Sequence, residues 1–203
     1  MKRLLTILLC VSMVICAVPV CVTAEEDTSA AVSDEAAFMN VLGIINDNVD
    51  HRDDIVTREN FALYVARMLK LQKTADRYYI DVQEDSYAAW AVNALANYGI
   101  LSQPEDRLFR PTDNITTAEA CAMLIKALGY DAYAKSLGAY PTSYLSAAMR
   151  FKIIKDISGS TIKVDDAAKM IFRTMECYPA GTIYDGSDKF VLGSDKIMES
   201  VWN

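Results

Sequence analysis

Tyr79-Ile80-Asp81-Val82, Tyr87-Ala88-Ala89-Trp90, Gly99-Ile100-Leu101, Phe109-Arg110-Pro111 and Ile115-Thr116-Thr117-Ala118-Glu119 follow one another within residues 79–119. This order of pieces decides the fold. Ala88 to Leu101 is apolar and small, and Gly99 supplies the left-handed residue on which short helices commonly end. Phe109 and Pro111 mark a loop. Thr116 with Glu119 three residues later is a capping box: the threonine oxygen accepts from a free N–H of the first turn, and the glutamate reaches back to the cap's own N–H. Beyond it Ala120, Leu124, Ala127 and Leu128 recur at helical spacing. The stretch reads as a short helix, a loop and a longer capped helix.

The same order appears on either side. Upstream, Phe38 to Ile45 is an apolar segment closed by Gly43, and Ile55-Val56-Thr57-Arg58-Glu59 opens a helix with Phe61, Val65, Met68 and Leu69 on one face. Downstream, Tyr144 to Ile154 and then Ile162 onward take these roles, with Ala167, Met170, Ile171 and Met175 as the stripe. The motif starts Val56, Ile115 and Ile162 lie 59 and 47 residues apart, near the range of helical repeats. Thr57 and Asn60 keep part of the cap in the first unit. In the third, Lys163 and Asp166 stand at those places, so capping there falls to Ser160 or Thr161. Three apolar stripes that would each lie in water alone predict an all-α bundle packed around one core.

The string in the second unit resembles the S-layer homology repeat. The family pattern is Asp-Val, a Trp-bearing helix ending in Gly-Ile, Phe-x-Pro, and an Ile-Thr-Arg-Ala-Glu helix start. The resemblance covers roughly residues 34 to 178, strongest in the second unit and weakest in the third. It divides the chain into repeats at 34–72, 78–130 and 131–178, the last degenerate. It implies a pseudo-threefold bundle that anchors an exported protein to the cell wall by holding an anionic, often pyruvylated, secondary cell-wall polysaccharide. Peptidoglycan-linked glycan and other surface-layer proteins are the partners it admits, and no cofactor. Leu128-Gly129-Tyr130, Leu137-Gly138-Ala139-Tyr140-Pro141 and Tyr144 are similar to a linker found in exported clostridial wall proteins of this kind.

In the family the motif arginine contacts the sugar acid. The matching positions here are Thr57-Arg58, Thr116-Thr117 and Lys163-Val164. Only Arg58 keeps the guanidinium; Thr117 retains a donor, and Lys163 offers a cation one place earlier. Helix starts carry free N–H groups and partial positive charge, and an arginine beside them can grip a carboxylate with two donors. Arg58, Thr57, Thr116, Thr117 and Lys163 are therefore the candidate ligand-binding residues. Thr57, Thr116 and Glu119 also serve as plain caps. Arg58→Ala is expected to cost binding and leave folding nearly unchanged.

The rest of the chain is consistent with a wall location. Lys2 and Arg3, the apolar run Leu4 to Val18 and the small residues Val22-Thr23-Ala24 form a signal-peptide layout over residues 1–24. The run is shorter than the roughly 20 residues that cross a bilayer, so the cleaved chain is not membrane-spanning. Residues 25–33 read as a flexible leader. Removing residues 1–24 takes away two cations and no acid, moving the formal charge from −7 to −9, which disfavours nucleic acid. It also removes Cys10, Cys16 and Cys21. Cys121 and Cys177 remain, read as buried free thiols rather than a disulfide framework. Residues 179–203 read as an irregular tail with a strand at Phe190 to Leu192 and a helix capped by Ser194. That helix bears an apolar face of Ile197, Met198, Val201 and Trp202 left uncovered, as at the start of a further region.

Catalytic chemistry is poorly represented. The single histidine, His51, sits in a charged loop. No His–Cys spacing suggests zinc, and no phosphate loop or Ser-His-Asp set can be assembled. A calcium loop begun at Asn48 would place Arg52 at a ligand position and Asp53 where glycine is needed. Two further readings stay open. One is a protein–protein interaction module whose repeats no longer bind glycan, which Thr117 and Val164 favour. The other is a wall-active hydrolase with its catalytic domain elsewhere.

Overall fold

The backbone that precedes each long helix organises the molecule. In the computed structural model, which describes residues 33–46, 51–182 and 190–202, these segments meet one another. Isolated antiparallel bridges join Ile55 to Lys163, Thr57 to Asn114 and Thr116 to Thr161, so each segment pairs with both others. Val56, Ile115 and Ile162 sit at the junction, at most 1% exposed. The Val56 N–H donates to the Ile162 carbonyl (3.0 Å), and the Ile115 N–H to the Val56 carbonyl (2.9 Å).

From this junction run three helices: α2 (Arg58–Met68), α4 (Thr117–Ala127) and α7 (Val164–Met175). An α-helix begins with N–H groups that lack an intrahelical partner, and here a neighbouring segment supplies the acceptors. The first N–H of α2 donates to Asp113 O (2.9 Å), that of α4 to Ser160 O (2.9 Å) and that of α7 to Asp54 O (3.1 Å). Each acceptor lies two residues before Ile115, Ile162 or Val56, so the same bond recurs from the first segment to the second, the second to the third and the third to the first. Glu59 N to Pro111 O (3.0 Å) and Asp165 N to Arg52 O (3.2 Å) repeat the next bond.

Shorter helices α1 (Asp34–Val41), α3 (Ala89–Asn97) and α6 (Thr142–Arg150) complete the layer. Each ends alike. Ile44, Ile100 and Ile153 donate their N–H groups to Met39, Leu95 and Ala148, five residues back. The residue before each isoleucine is left-handed: Gly43 (φ 69°), Gly99 (φ 72°) and, in the third unit, Lys152 (φ 61°). Short and long helices pair across units: α3 packs on α2, α6 on α4 and α1 on α7. The first short helix thus covers the last long one. α2 also packs against α4 and α7.

The expected stripes form the core. Phe61, Val65, Met68, Ala120, Leu124, Leu128, Ala167, Met170, Ile171 and Met175 are all fully buried. A large apolar side chain contributes roughly 1.5–3 kcal/mol when buried, which offsets the ordering of these helices. The fold is all-α, as the sequence predicts. Among the described residues the only sheet is a two-stranded antiparallel ribbon of β1 (Ala180–Thr182) and β2 (Phe190–Leu192), with Gly181 opposite Val191.

Several expectations change. The signal layout and residues 25–32 lie outside the described residues, as does Asn48. Ser33, placed in the leader, accepts from Ala36 N (3.2 Å) to cap α1 and donates to Asp165 Oδ1 (2.7 Å). Neither Ser160 nor Thr161 caps α7; Lys163 is its N-cap residue and makes no side-chain cap bond, since an ammonium cannot accept and the first N–H groups of α7 go to Asp54 O and Arg52 O instead. The linker holds a short helix, α5 (Asp131–Ser136), and a cis Tyr140–Pro141 bond.

The C-terminal segment differs most. Its helix α8 (Ile197–Trp202) is docked rather than uncovered. Ile197 is buried, the Trp202 Nε1–H donates to Met68 O (2.8 Å) at the end of α2, and Lys70 Nζ lies 4.1 Å from the indole centroid. Ser194 does not cap it: its hydroxyl donates to Asp195, while Glu199 accepts from Lys196 N (3.0 Å). Cys121 and Cys177 are free thiols.

Candidate functional site

The second unit's motif builds one wall of a cleft. The Asp81 carboxylate accepts the N–H groups of Phe109 (2.8 Å) and Arg110 (2.6 Å), tying the Asp-Val turn to the Phe-x-Pro loop. The Tyr79 ring packs on Phe109 at 5.3 Å between centroids, and its hydroxyl donates to Ser102 O (2.8 Å). Burial pushes the Tyr79 phenol up to about 12, so it stays a donor. Phe109 is thereby fixed as a platform, and the Arg58 guanidinium lies over its ring, 5.0 Å from the centroid.

Arg58 is further held by its Nε–H to Phe109 O (2.8 Å) and by an ion pair with Glu119. Its side chain is 18% exposed and that of Glu119 31%. Glu119 completes the capping box, accepting from Thr116 N (2.9 Å) and Thr116 Oγ1 (2.8 Å) while its own N–H donates to Thr116 Oγ1 (3.2 Å). Arg58 and Glu119 line a cleft of about 390 Å³. Ile100, Leu101, Ser102, Met123, Lys126 and the two tyrosines Tyr140 and Tyr144 complete most of its wall. The tyrosine rings meet edge to face at 6.0 Å. Burial, and then the hydrogen bond to Asp131, pushes the Tyr144 phenol up to about 12; burial, and then Glu119, raises that of Tyr140. Formal charge in the cleft is two cations against one carboxylate, on an acidic chain.

Of the five candidate residues, only Arg58 lines this cleft. Thr57 caps α2, accepting from Asn60 N (3.3 Å). Thr116 is engaged in the capping box. Thr117 is 7% exposed and donates to Gly159 O (2.9 Å) in the third unit. Lys163 reaches Asp53 Oδ1 (2.7 Å) on an exposed face. The free N–H groups expected beside Arg58 are spent on Asp113 O, Pro111 O and Thr57 Oγ1, so side chains alone offer charge to a ligand. Nor is Arg58 a detachable surface cation: its contacts tie the first unit to the second, and its loss bears on folding.

The sequence does not single out Lys126, Tyr140 and Tyr144, which line the cleft. Lys126 could have been found by aligning the long helices, since it stands nine residues after Thr117, as Arg67 does after Arg58 and Arg173 after Val164. His51 is exposed and pairs with Asp54 (3.0 Å).

Comparison with known proteins agrees with the motif string. Residues 79–121 match the model of the S-layer homology domain. The chain is 28% identical over 189 residues to the surface layer protein of Brevibacillus choshinensis, covering 87% of this chain and 17% of that one. It is 32% identical over 111 residues to the middle cell wall protein of Brevibacillus brevis, covering 52% and 10%. It is 25% identical over 170 residues to the cell surface protein of Thermoanaerobacter kivui, covering 79% and 21%. The chain spans about a tenth to a fifth of the lengths of these relatives.

Proposed function

For a chain that carries an S-layer homology domain, we propose that the Arg58–Lys126 cleft holds an acidic secondary cell-wall polysaccharide and so keeps the protein on the bacterial wall without a covalent bond. The protein belongs to the cell surface, as its relatives' names place them, and its role is anchoring rather than catalysis. The observation that carries the reading is the cleft itself: net positive charge and two tyrosines on an acidic chain. Aromatic faces suit the apolar faces of sugar rings, and charge selects an acid such as a pyruvate ketal. We read residues 34–72, 78–130 and 131–178 as three copies about a pseudo-threefold axis, supported by the recurring backbone bonds of the junction.

The test uses wall sacculi. The protein should co-sediment with sacculi that retain their polysaccharide and stay in solution when it has been stripped. Equal sedimentation with both would refute the proposal. A second reading is an interaction module whose remaining units only pack against protein. It draws on Thr117 and Val164, which stand where Arg58 does and are both 7% exposed, so those units offer no guanidinium. On that reading neither sacculus preparation retains the protein.

A further inference from the structure

We propose that Lys126 recognises the anionic group of the cleft's ligand, and that Arg58 is a positioning residue built into the cleft wall. The inference rests on the glycan reading above and names the group that reads the charge. The Arg58 guanidinium is committed on three sides, to the Phe109 carbonyl, the Phe109 ring and the Glu119 carboxylate. A sugar acid gripping the Nη1–Nη2 edge would have to share Nη1 with Glu119 Oε1, whose other carboxylate oxygen closes the capping box of α4. Competing with a partly buried ion pair reduces what such a contact gains.

Lys126 is placed differently. Its counterparts Arg67 and Arg173 turn back onto their own units, donating to Ile44 O (3.1 Å) and Ile153 O (3.3 Å) where the short helices end. Ile100 is the matching residue in the second unit, and it lines the cleft together with Lys126. Where the other two units carry an arginine spent on that carbonyl, this unit carries a lysine that makes no hydrogen bond or ion pair among the described residues. Asp131, whose carboxylate feels the Lys126 charge, is paired with Lys135 (2.7 Å) and accepts the Tyr144 hydroxyl. An ammonium is a compact charge with three donors on a flexible stem, able to follow a carboxylate held beside the exposed Tyr140. The unit with a lysine in place of that arginine is the one whose helix lines the cleft.

The test is calorimetric titration of the whole chain with a pyruvate-ketal disaccharide and with the same disaccharide lacking the ketal. Lys126→Gln should weaken the acidic probe by about tenfold, as expected for one charge-assisted contact. It should weaken the neutral probe far less and leave the unfolding temperature unchanged. Arg58→Lys should lower the unfolding temperature yet keep the ratio of acidic to neutral affinity. A Lys126→Gln chain that binds the acidic probe like its parent overturns the assignment, and so does loss of the ratio in Arg58→Lys. A parent chain that binds neither probe overturns both this inference and the glycan reading.

Discussion

Replacing Arg58 with alanine tests whether the cleft wall is also a joint between units. The substitution removes the Nε–H bond to Phe109 O at 2.8 Å, a neutral acceptor, worth about 1 kcal/mol net. It removes the pairing with Glu119, where charge-assisted bonds contribute roughly 1.5–3 kcal/mol. The low end applies, because Glu119 is 31% exposed and keeps its bonds from Thr116. The guanidinium over Phe109 adds about 0.5 kcal/mol at a site this open to water. One side chain makes all three contacts, so the loss is about 3 kcal/mol. For a domain of this size that is a fall in unfolding temperature of roughly 6–12 °C. Glu119→Gln keeps a capping-box side chain while removing the charge, so the double-mutant cycle with Arg58→Ala isolates the ion pair. A coupling of about 1–2 kcal/mol is expected for neighbours in one network. The assay is thermal unfolding followed by circular dichroism. An Arg58→Ala protein that melts with its parent, or a cycle with no coupling, would refute the reasoning and return Arg58 to the status of a surface cation.

Lys152 occupies the left-handed position that Gly43 and Gly99 fill in the other units. Lys152→Gly should therefore stabilise by up to about 1 kcal/mol, since left-handed backbone costs a residue with a Cβ roughly 1–2 kcal/mol and glycine's extra freedom when unfolded returns part of it; denaturant midpoints decide. Alkaline pH should destabilise the fold. Burial pushes Cys121, Tyr79 and Tyr144 up to about 12 from ordinary values of 9.0 and 10.0, so the unfolded chain loses these protons first. Stability is full below about pH 9 and falls as pH rises toward 12; urea midpoints at pH 8 and pH 10.5 should differ, and Cys121→Ala should reduce the difference.

The helices and their stripes were legible because helical period and capping are local. Thr116 with Glu119 announces its helix within four residues, and the structure forms that capping box in full. The pairing across units was not legible. An apolar face on α1 states that it is buried, not that α7 buries it. Arg58 was found through the motif, but its partners Phe109 and Glu119 lie 51 and 61 residues away, beyond any spacing rule. The apolar face of α8 is legible in the sequence, and what covers it is not. Trp202 finds the Met68 carbonyl 134 residues upstream, which only the closed junction brings near.

The packing of α1 on α7 orders the events of folding. A chain emerging N-terminus first releases α1 early, yet the surface that shelters it is not made until residues 164–175 appear. Ser33 waits for Asp165 across 132 residues. A contact across so long a loop carries a closure entropy, and non-local pairings of this kind slow folding. α2 with α3 and α4 with α6 can form as the chain appears; α1 with α7 is the clasp, and it is expected to fasten last, with late protection of the α1 amides in pulse-labelled hydrogen exchange as the check. Until it does, Met39 and the facing side of α7 remain open to water, so the clasp stays unlocked until residues 164–175 are available.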